Sequence, residues 1–236
     1  MEEELNIPEH IAIIMDGNRR WAKSLGKQPS EGHKAGAETL RQIAKDCNNL
    51  GIKYLTVYAF STENWKRSKE EVSYLMFLLK SYLKDFAKKA NKENIKIKVL
   101  GNIDILEKDL QKSILNAVEE TKNATGLTLN IAFNYGGRAE IVNAAKKIAH
   151  KVENNQLNIE DIDEALFAEN LYTQNQPDPD ILIRPGGELR VSNYLLWQLA
   201  YTEFFFIKKY WPEFTKQDLI EIIEEFNKRN RKFGGK

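Results

Sequence analysis

Four short strings bring arginine together with glycine, asparagine or a lone carboxylate. They are Asp16-Gly17-Asn18-Arg19-Arg20-Trp21, Ser61-Thr62-Glu63-Asn64-Trp65-Lys66-Arg67, Asn134-Tyr135-Gly136-Gly137-Arg138 and Arg184-Pro185-Gly186-Gly187-Glu188-Leu189-Arg190. Glycine and asparagine are ordinary turn residues, but a turn has no need of arginine. In the first string, a Gly-Asn step into a helix offers free backbone N–H groups and the positive end of the helix dipole, which together attract an anion. Arg19 and Arg20 add charge there, and Asp16 is placed to hold a divalent cation bridging to phosphate. The same Asp-Gly-Asn string is also a common cap and turn. In the last string, Arg184 and Arg190 flank a Gly-Gly pair and Ser192 follows closely. Two guanidinium forks on a flexible backbone suit a diphosphate. Each charge-assisted bond contributes on the order of 1.5–3 kcal/mol, so two or three give anchoring in the micromolar range. Gly101-Asn102, by contrast, reads as a plain turn.

Other chemistries lack their patterns. The histidines are His10, His33 and His150, with no HExxH and no C-x-x-C, so a zinc site is not indicated. There is no GxSxG elbow, and Cys47 falls mid-helix, where it reads as core. Neither GxxxxGK[ST] nor GxGxxG after a strand occurs. His150 lies late in a helix and reads as structural; His33 opens a helix near the anion rim, and both uses stand open for it. The 35 basic against 34 acidic side chains leave a net charge of +1. That argues against duplex DNA, and no RRM or KH signature supports RNA, so no nucleic-acid partner is expected. The lysines Lys84, Lys88, Lys89, Lys92, Lys96 and Lys98 read as a solvated face. A single cysteine makes no internal disulfide, which favours a reducing compartment. No apolar run approaches the ~20 residues of a membrane span. The opening MEEELNIPEH has no signal-peptide pattern. A cytoplasmic protein is expected.

These strings must be positioned by alternating strands and helices. Strands are predicted over residues 10–15, 54–60, 95–100, 127–133, 181–184 and 203–207, with helices over about 33–49, 107–122, 138–152 and 216–229. Val72, Leu75, Met76, Leu79, Tyr82, Leu83 and Phe86 recur at helical spacing and mark one more long amphipathic helix. Residues 174–180 (QNQPDPD) form a proline-broken loop. This alternation implies an α/β fold: a single domain with a mostly parallel central sheet flanked by helices. With 236 residues, one domain buries roughly 70–75% of its unfolded surface and needs no metal or disulfide staple. In such sheets ligands bind at the carboxyl ends of the strands. All four arginine strings and Gly101-Asn102 fall there, so five loops are expected to converge on one rim.

The motifs resemble one family, the cis-prenyltransferases, and within it the bacterial undecaprenyl diphosphate synthases. The match runs in order through residues 10–18 (HIAIIMDGN), 32–36 (GHKAG), 58–65 (YAFSTENW), 130–138 (NIAFNYGGR), 192–198 (SNYLLWQ) and 231–235 (RKFGG). It covers nearly the whole chain, with residues 1–9 as an N-terminal tail and 10–236 as the catalytic domain. The resemblance implies that isopentenyl diphosphate units are condensed onto farnesyl diphosphate with cis double bonds, giving a long-chain polyprenyl diphosphate of the undecaprenyl kind. It implies Mg²⁺ as cofactor, a homodimer with an elongated apolar cleft, and peripheral contact with a membrane for product release. Carried over residue by residue, Asp16 and Glu203 correspond to the metal-site carboxylates. Gly17, Asn18, Arg19, Arg20, Trp21 and His33 fall in the allylic diphosphate region. Ser61, Glu63, Asn64, Trp65 and Arg67 match the loop that positions substrates and helps remove the proton, with Asn64 beside Asp16 as the catalytic pair. Arg184, Arg190 and Ser192 match the isopentenyl diphosphate site. The apolar stripe from Val72 to Phe86 would line the cleft.

Two departures from the family pattern stand out. An arginine usual three residues before the Gly-His pair is Pro29 here, so one diphosphate contact is missing or taken over by Lys27. Pro185 replaces a threonine, losing a hydroxyl and an N–H donor. A non-catalytic, scaffold-type relative of the same fold would lack the carboxylate and the arginines. Asp16, Arg20, Arg184, Arg190 and Glu203 are all present.

Overall fold

In the computed structural model, which describes residues 5–229 apart from the Lys84 side chain, six strands pair in one sheet. They are β1 (His10–Ile14), β2 (Tyr54–Ser61), β3 (Lys96–Leu100), β4 (Thr128–Tyr135), β5 (Ile181–Arg184) and β6 (Glu203–Phe206). The order across the sheet is β3-β4-β2-β1-β5-β6, and every neighbouring pair is parallel. The sheet is thus wholly rather than mostly parallel. The motif at residues 231–235 lies outside the described residues.

Period-2 alternation divides the core. Ile11 and Ile13 of β1 join the larger apolar cluster on one face, while Ala12 and Ile14 join the smaller one on the other. The larger face is covered by α2 (Pro29–Leu50), α3 (Lys69–Lys92), α4 (Lys108–Thr121) and α7 (Lys216–Lys228). Tyr135, Tyr194 and Leu195 pack on the smaller face, beside α5 (Gly137–Glu153).

The helix starts depart from the sequence expectation. α2 begins at Pro29 rather than near residue 33, because proline's fixed φ suits the first helical position and Gln28 with Glu31 forms a capping box. Two short helices, α1 (Asn18–Ser24) and α6 (Glu164–Glu169), and a 3-10 turn at Thr62–Lys66 are too brief for periodicity to reveal their bounds. α1 sits tightly on α2: a Cβ at Gly32 would lie 2.1 Å from the Asn18 carbonyl oxygen, so only glycine allows this approach.

The foot of the sheet holds a buried histidine. His10 Nδ1 lies 2.7 Å from the Pro177 carbonyl and Nε2 lies 2.7 Å from Thr56 Oγ1, which also accepts from Asn130 Nδ2. A carbonyl only accepts, so Nδ1 carries the proton and Nε2 accepts from the Thr56 hydroxyl. Burial pushes the His10 pKa down to about 4, against the smaller opposing pull of the Pro177 carbonyl and Asp180. The folded value lies below the unfolded one, so the unfolded chain binds the extra proton first. Stability therefore falls as pH drops from about 6.5 towards 4, by about 3 kcal/mol in full. Urea midpoints at pH 7 and 4.5 should show this loss in the wild type and a smaller one in His10→Asn. Equal losses in both would assign the acid sensitivity to other groups.

Candidate active site

The strand order makes immediate neighbours of the carboxyl ends of β2, β1 and β5. Their loops enclose a cleft of about 970 Å³, lined by Asp16 to Arg20 after β1, by Ser61, Glu63, Asn64 and Arg67 after β2, and by Arg184, Arg190 and Ser192 after β5. His33 of α2 closes one wall. The expected convergence of five loops is corrected to three. β3 is an edge strand and β4 lies outside β2, so their loops prop the others. Asn134 Nδ2 donates to the Asn102 carbonyl at 2.6 Å, and its Oδ1 accepts from Trp65 Nε1 at 2.8 Å. Arg138 and Gly137 give their backbone N–H groups to Asn193, whose Nδ2 donates to Glu63 Oε1 at 2.8 Å.

Asp16 is the centre of the cleft. Gly17 turns the chain in a left-handed conformation, φ 98°, and returns its N–H to Asp16 Oδ1 at 2.6 Å. A side chain at Gly17 would also collide with the Tyr210 ring. Arg184 Nη2 meets Asp16 Oδ2 at 2.9 Å, and Arg20 Nη2 meets Oδ1 at 3.1 Å. Partial burial alone would raise the Asp16 pKa; the Arg184 hydrogen bond, the Arg184 and Arg20 charges and the Gly17 N–H outweigh it and hold it below the usual carboxylate value. Asp16 is ionised at neutral pH.

Arg184, the last residue of β5, is nearly inaccessible. Its Nη1 donates to Ser192 Oγ at 2.9 Å and to the Arg190 carbonyl, while its buried Nε has no partner among the described residues. Glu188 links the two arginine groups: it pairs with Arg190 and lies 3.4 Å from Arg20 Nη1, which also donates to the Gly186 carbonyl at 2.9 Å. Across the cleft, Glu71 in the first turn of α3 gathers Arg67 at 2.8 Å, Arg19 at 3.3 Å and His33 Nε2 at 3.7 Å. The last distance is too long for a hydrogen bond, and the buried His33 Nε2 has no hydrogen-bond partner among the described residues. Burial first, then the Arg67 and Arg19 charges, hold the His33 pKa below its ordinary value against Glu71, so the imidazole is neutral at pH 7.

The cleft opens into an apolar cavity of about 130 Å³ between the sheet, α2 and α3. Met15, Asn18, His33, Ala59, Phe60 and Leu75 border both spaces. Leu75, Leu79, Tyr82, Leu83 and Phe86 line the cavity as the stripe suggested, joined by Leu78, whereas Val72 and Met76 do not border it and lie partly buried against the core.

Three expected site residues fall elsewhere. Trp65 packs edge-on against Phe60, and the Trp21 ring lies under the Lys27 ammonium; neither lines the cleft. Glu203 is the first residue of β6, paired in register with Ile181, whereas Arg184 pairs with Phe206. Three strand positions, ~10 Å, separate it from the cleft end, and it binds Arg229 at 2.8 Å. A metal site shared by Asp16 and Glu203 is therefore not formed within one chain. Among the described residues, no three His, Cys, Asp or Glu side chains gather to hold a metal ion. Asn64 spends its Oδ1 on the Ser61 N–H at 3.0 Å, a cap that shapes the loop. Sequence reasoning missed Glu71 and Asn193. The i, i+4 spacing of Arg67 and Glu71 was the available signal for the first; for Asn193 it was its place in the 192–198 motif (SNYLLWQ).

Known proteins resemble this chain in sequence and in fold. Residues 14–234 match a family model described as putative undecaprenyl diphosphate synthase. An isoprenyl transferase of Clostridium tetani is 51% identical, over 98% of this chain and 90% of its own length. A ditrans,polycis-undecaprenyl-diphosphate synthase of Micrococcus luteus, specific for (2E,6E)-farnesyl diphosphate, is 47% identical over 97% and 92%. Among solved structures, lavandulyl diphosphate synthase from Lavandula x intermedia, in complex with dimethylallyl diphosphate, superposes with a TM-score of 0.94 at 41% identity, covering 97% and 99% of the two chains. A probable undecaprenyl diphosphate synthase from Campylobacter jejuni gives 0.81 at 33%, covering 98% and 100%.

Proposed function

This chain belongs to the putative undecaprenyl diphosphate synthase family, and from that premise we infer that it is a cis-prenyltransferase adding isopentenyl diphosphate units to farnesyl diphosphate. The carrying observation is one cleft in which Arg20 of α1 and Arg184 of β5 converge on the ionised Asp16, with an apolar cavity leading away beneath it. The polar end suits two diphosphates, and the apolar end suits a growing hydrocarbon chain. Arg19, Arg20 and His33 are assigned to the allylic diphosphate; Arg184, Arg190 and Ser192 are assigned to isopentenyl diphosphate.

Ionising an allylic diphosphate separates charge, and preorganised guanidinium groups stabilise the leaving anion. Phe60, Leu75 and their neighbours keep water from the allylic cation. A carboxamide is no base at neutral pH, so Asn64 is assigned to orienting the loop above the reacting carbons. Asp16, an ionised carboxylate at the centre of the cleft, is the residue that would hold Mg²⁺. Bound there, the ion would supply Lewis-acid stabilisation of the departing diphosphate. Residues 10–236 are assigned to the catalytic domain. A homodimer, a cytoplasmic location and peripheral membrane contact complete the proposal. The single buried cysteine fits a reducing compartment, and no described helix is long and apolar enough to cross a membrane.

The test is incubation of radiolabelled isopentenyl diphosphate with farnesyl diphosphate and Mg²⁺, with and without chelator, followed by product chromatography. Chelator-sensitive, organic-extractable polyprenyl product is expected; its absence would overturn the assignment. The two sides of the cleft should separate by kinetics. Arg190→Ala, losing one exposed charge-assisted contact, should raise KM for isopentenyl diphosphate roughly tenfold. Arg20→Ala should act chiefly on farnesyl diphosphate. Equal effects of both variants on both substrates would refute the two-site map.

A further inference from the structure

The apolar cavity is too small for the tail it has to hold. A cavity of about 150 Å³ accommodates one benzene molecule, so about 130 Å³ holds roughly one five-carbon unit. A farnesyl tail has three such units and every condensation adds another, so a wall has to yield as the tail lengthens. The sheet is not that wall. β2 and β4, which supply Ala59, Phe60, Ile131 and Phe133 to the lining, are interior strands paired on both sides. Nor is α2 free to move: the Gly36 carbonyl accepts from Trp211 Nε1 at 2.8 Å, and Thr39 Oγ1 donates to the Pro212 carbonyl at 3.3 Å.

The remaining wall is α3. Its C-terminal end is tied to α2, where Asn48 Nδ2 donates to the Glu93 carbonyl at 2.8 Å and Lys45 pairs with Glu93 at 3.4 Å. Along the seam above, two tyrosines of α3 reach across to α2. Tyr74 Oη donates to the Ser30 carbonyl at 3.1 Å. Tyr82 Oη donates to Glu38 Oε1 at 3.1 Å, with the Lys34 carbonyl at 3.5 Å. Of the two, only Tyr82 also lines the cavity. Its ring is part of the wall and its hydroxyl fastens the wall shut. Burial, then the Glu38 hydrogen bond and charge, push its pKa up to about 12 against Arg41, so the hydroxyl remains a donor at neutral pH. Arg41 pairs with the second Glu38 oxygen and steadies the acceptor.

We propose that Tyr82 is a specificity-determining residue for tail length: its hydroxyl latches α3 to Glu38 of α2, and parting that bond is part of the cost of holding any tail longer than the closed cavity. The proposal rests on the prenyl-transfer reading made above. It assigns the effect to the hydroxyl across the seam and not to the bulk of the ring.

Diphosphates carrying two, three and four prenyl units are titrated into the full-length protein without isopentenyl diphosphate, and the matching prenyl alcohols are titrated in parallel. Tyr82→Phe keeps the ring and loses the hydroxyl. It should raise affinity for the four-unit tail about threefold relative to the two-unit tail. In the full reaction it should shift the products towards longer chains. Glu38→Gln keeps an acceptor and should bind the series as the wild type does. Glu38→Ala should move in the direction of Tyr82→Phe, less far because the Lys34 carbonyl remains. Added to Tyr82→Phe, it should change nothing more, as expected of two partners in one bond. An unchanged ratio in Tyr82→Phe would overturn the proposal. So would a shift in Tyr82→Leu with none in Tyr82→Phe, which would assign the effect to ring bulk, or an equal change for all three tails, which would mark a general loss of packing. Should the wild type form no polyprenyl product while Tyr82→Phe still shifts the length dependence of the alcohols, the activity falls and the latch stands.

Discussion

Asp16→Asn is expected to lower kcat at least a hundredfold while the protein stays folded. Asparagine keeps the shape of the side chain and one acceptor oxygen for the arginines, but it removes the negative charge on which both Arg184 and Arg20 converge. Losing cation-assisted stabilisation of the leaving diphosphate should cost at least ~3 kcal/mol in the barrier. Asparagine is the cleaner substitution for a structural reason. Alanine would leave the inaccessible Arg184 guanidinium with neither an anion nor the acceptor oxygen that asparagine keeps, and an unsatisfied buried donor costs ~1–3 kcal/mol. Asp16→Ala should therefore lower the melting temperature as well as the rate, whereas Asp16→Asn should lower mainly the rate. The depressed Asp16 pKa adds a sign. The carboxylate charge is lost only when pH falls below the ordinary carboxylate range, so Asp16 protonation should not limit turnover between pH 5 and 8. Single-turnover rates and melting curves on the same preparations decide the matter. Activity within tenfold of wild type would remove Asp16 from the chemistry.

Arg184→Met should be nearly as damaging, with its loss in kcat/KM for isopentenyl diphosphate. Arg184 reaches three acceptors at once: the Asp16 carboxylate, the Ser192 hydroxyl and the Arg190 carbonyl. Its removal deprives the diphosphate of a buried guanidinium and releases the loop that presents Arg190 and Ser192. Two lost charge-assisted bonds amount to ~3–6 kcal/mol, a hundredfold to ten-thousandfold. Arg184→Lys should recover only part of this, because a point charge cannot grip three acceptors in one plane. Full recovery by lysine would show that Arg184 contributes charge alone. An unchanged kcat/KM in Arg184→Met would move the isopentenyl diphosphate site away from β5.

The strands and long helices were legible because their signals are local. An apolar run such as residues 10–14 or the period of Leu75, Leu79 and Phe86 needs only near neighbours in the chain. The residue types stand out for a similar reason: a turn has no local need of arginine, so Arg20, Arg184 and Arg190 are conspicuous in the sequence alone. Which loops would meet was not legible. Residues 16–20 and 184–192 are far apart in sequence, and only the placement of β1 between β2 and β5 makes them one cleft. The same order turned Asn134 and Arg138 into supports, since β4 lies one strand too far out. Register decided against an intrachain partnership of Glu203 with Asp16, because one strand carries Glu203 at its foot and Arg184 stands at the head of its neighbour. Tertiary structure alone also matched each cleft arginine to Asp16, Glu71 or Glu188. Sequence by itself thus determined the elements and the residue types able to bind diphosphate, because backbone preference and side-chain chemistry belong to short segments. Strand order, register and charge pairing join distant segments, and those were decided only by the packed fold.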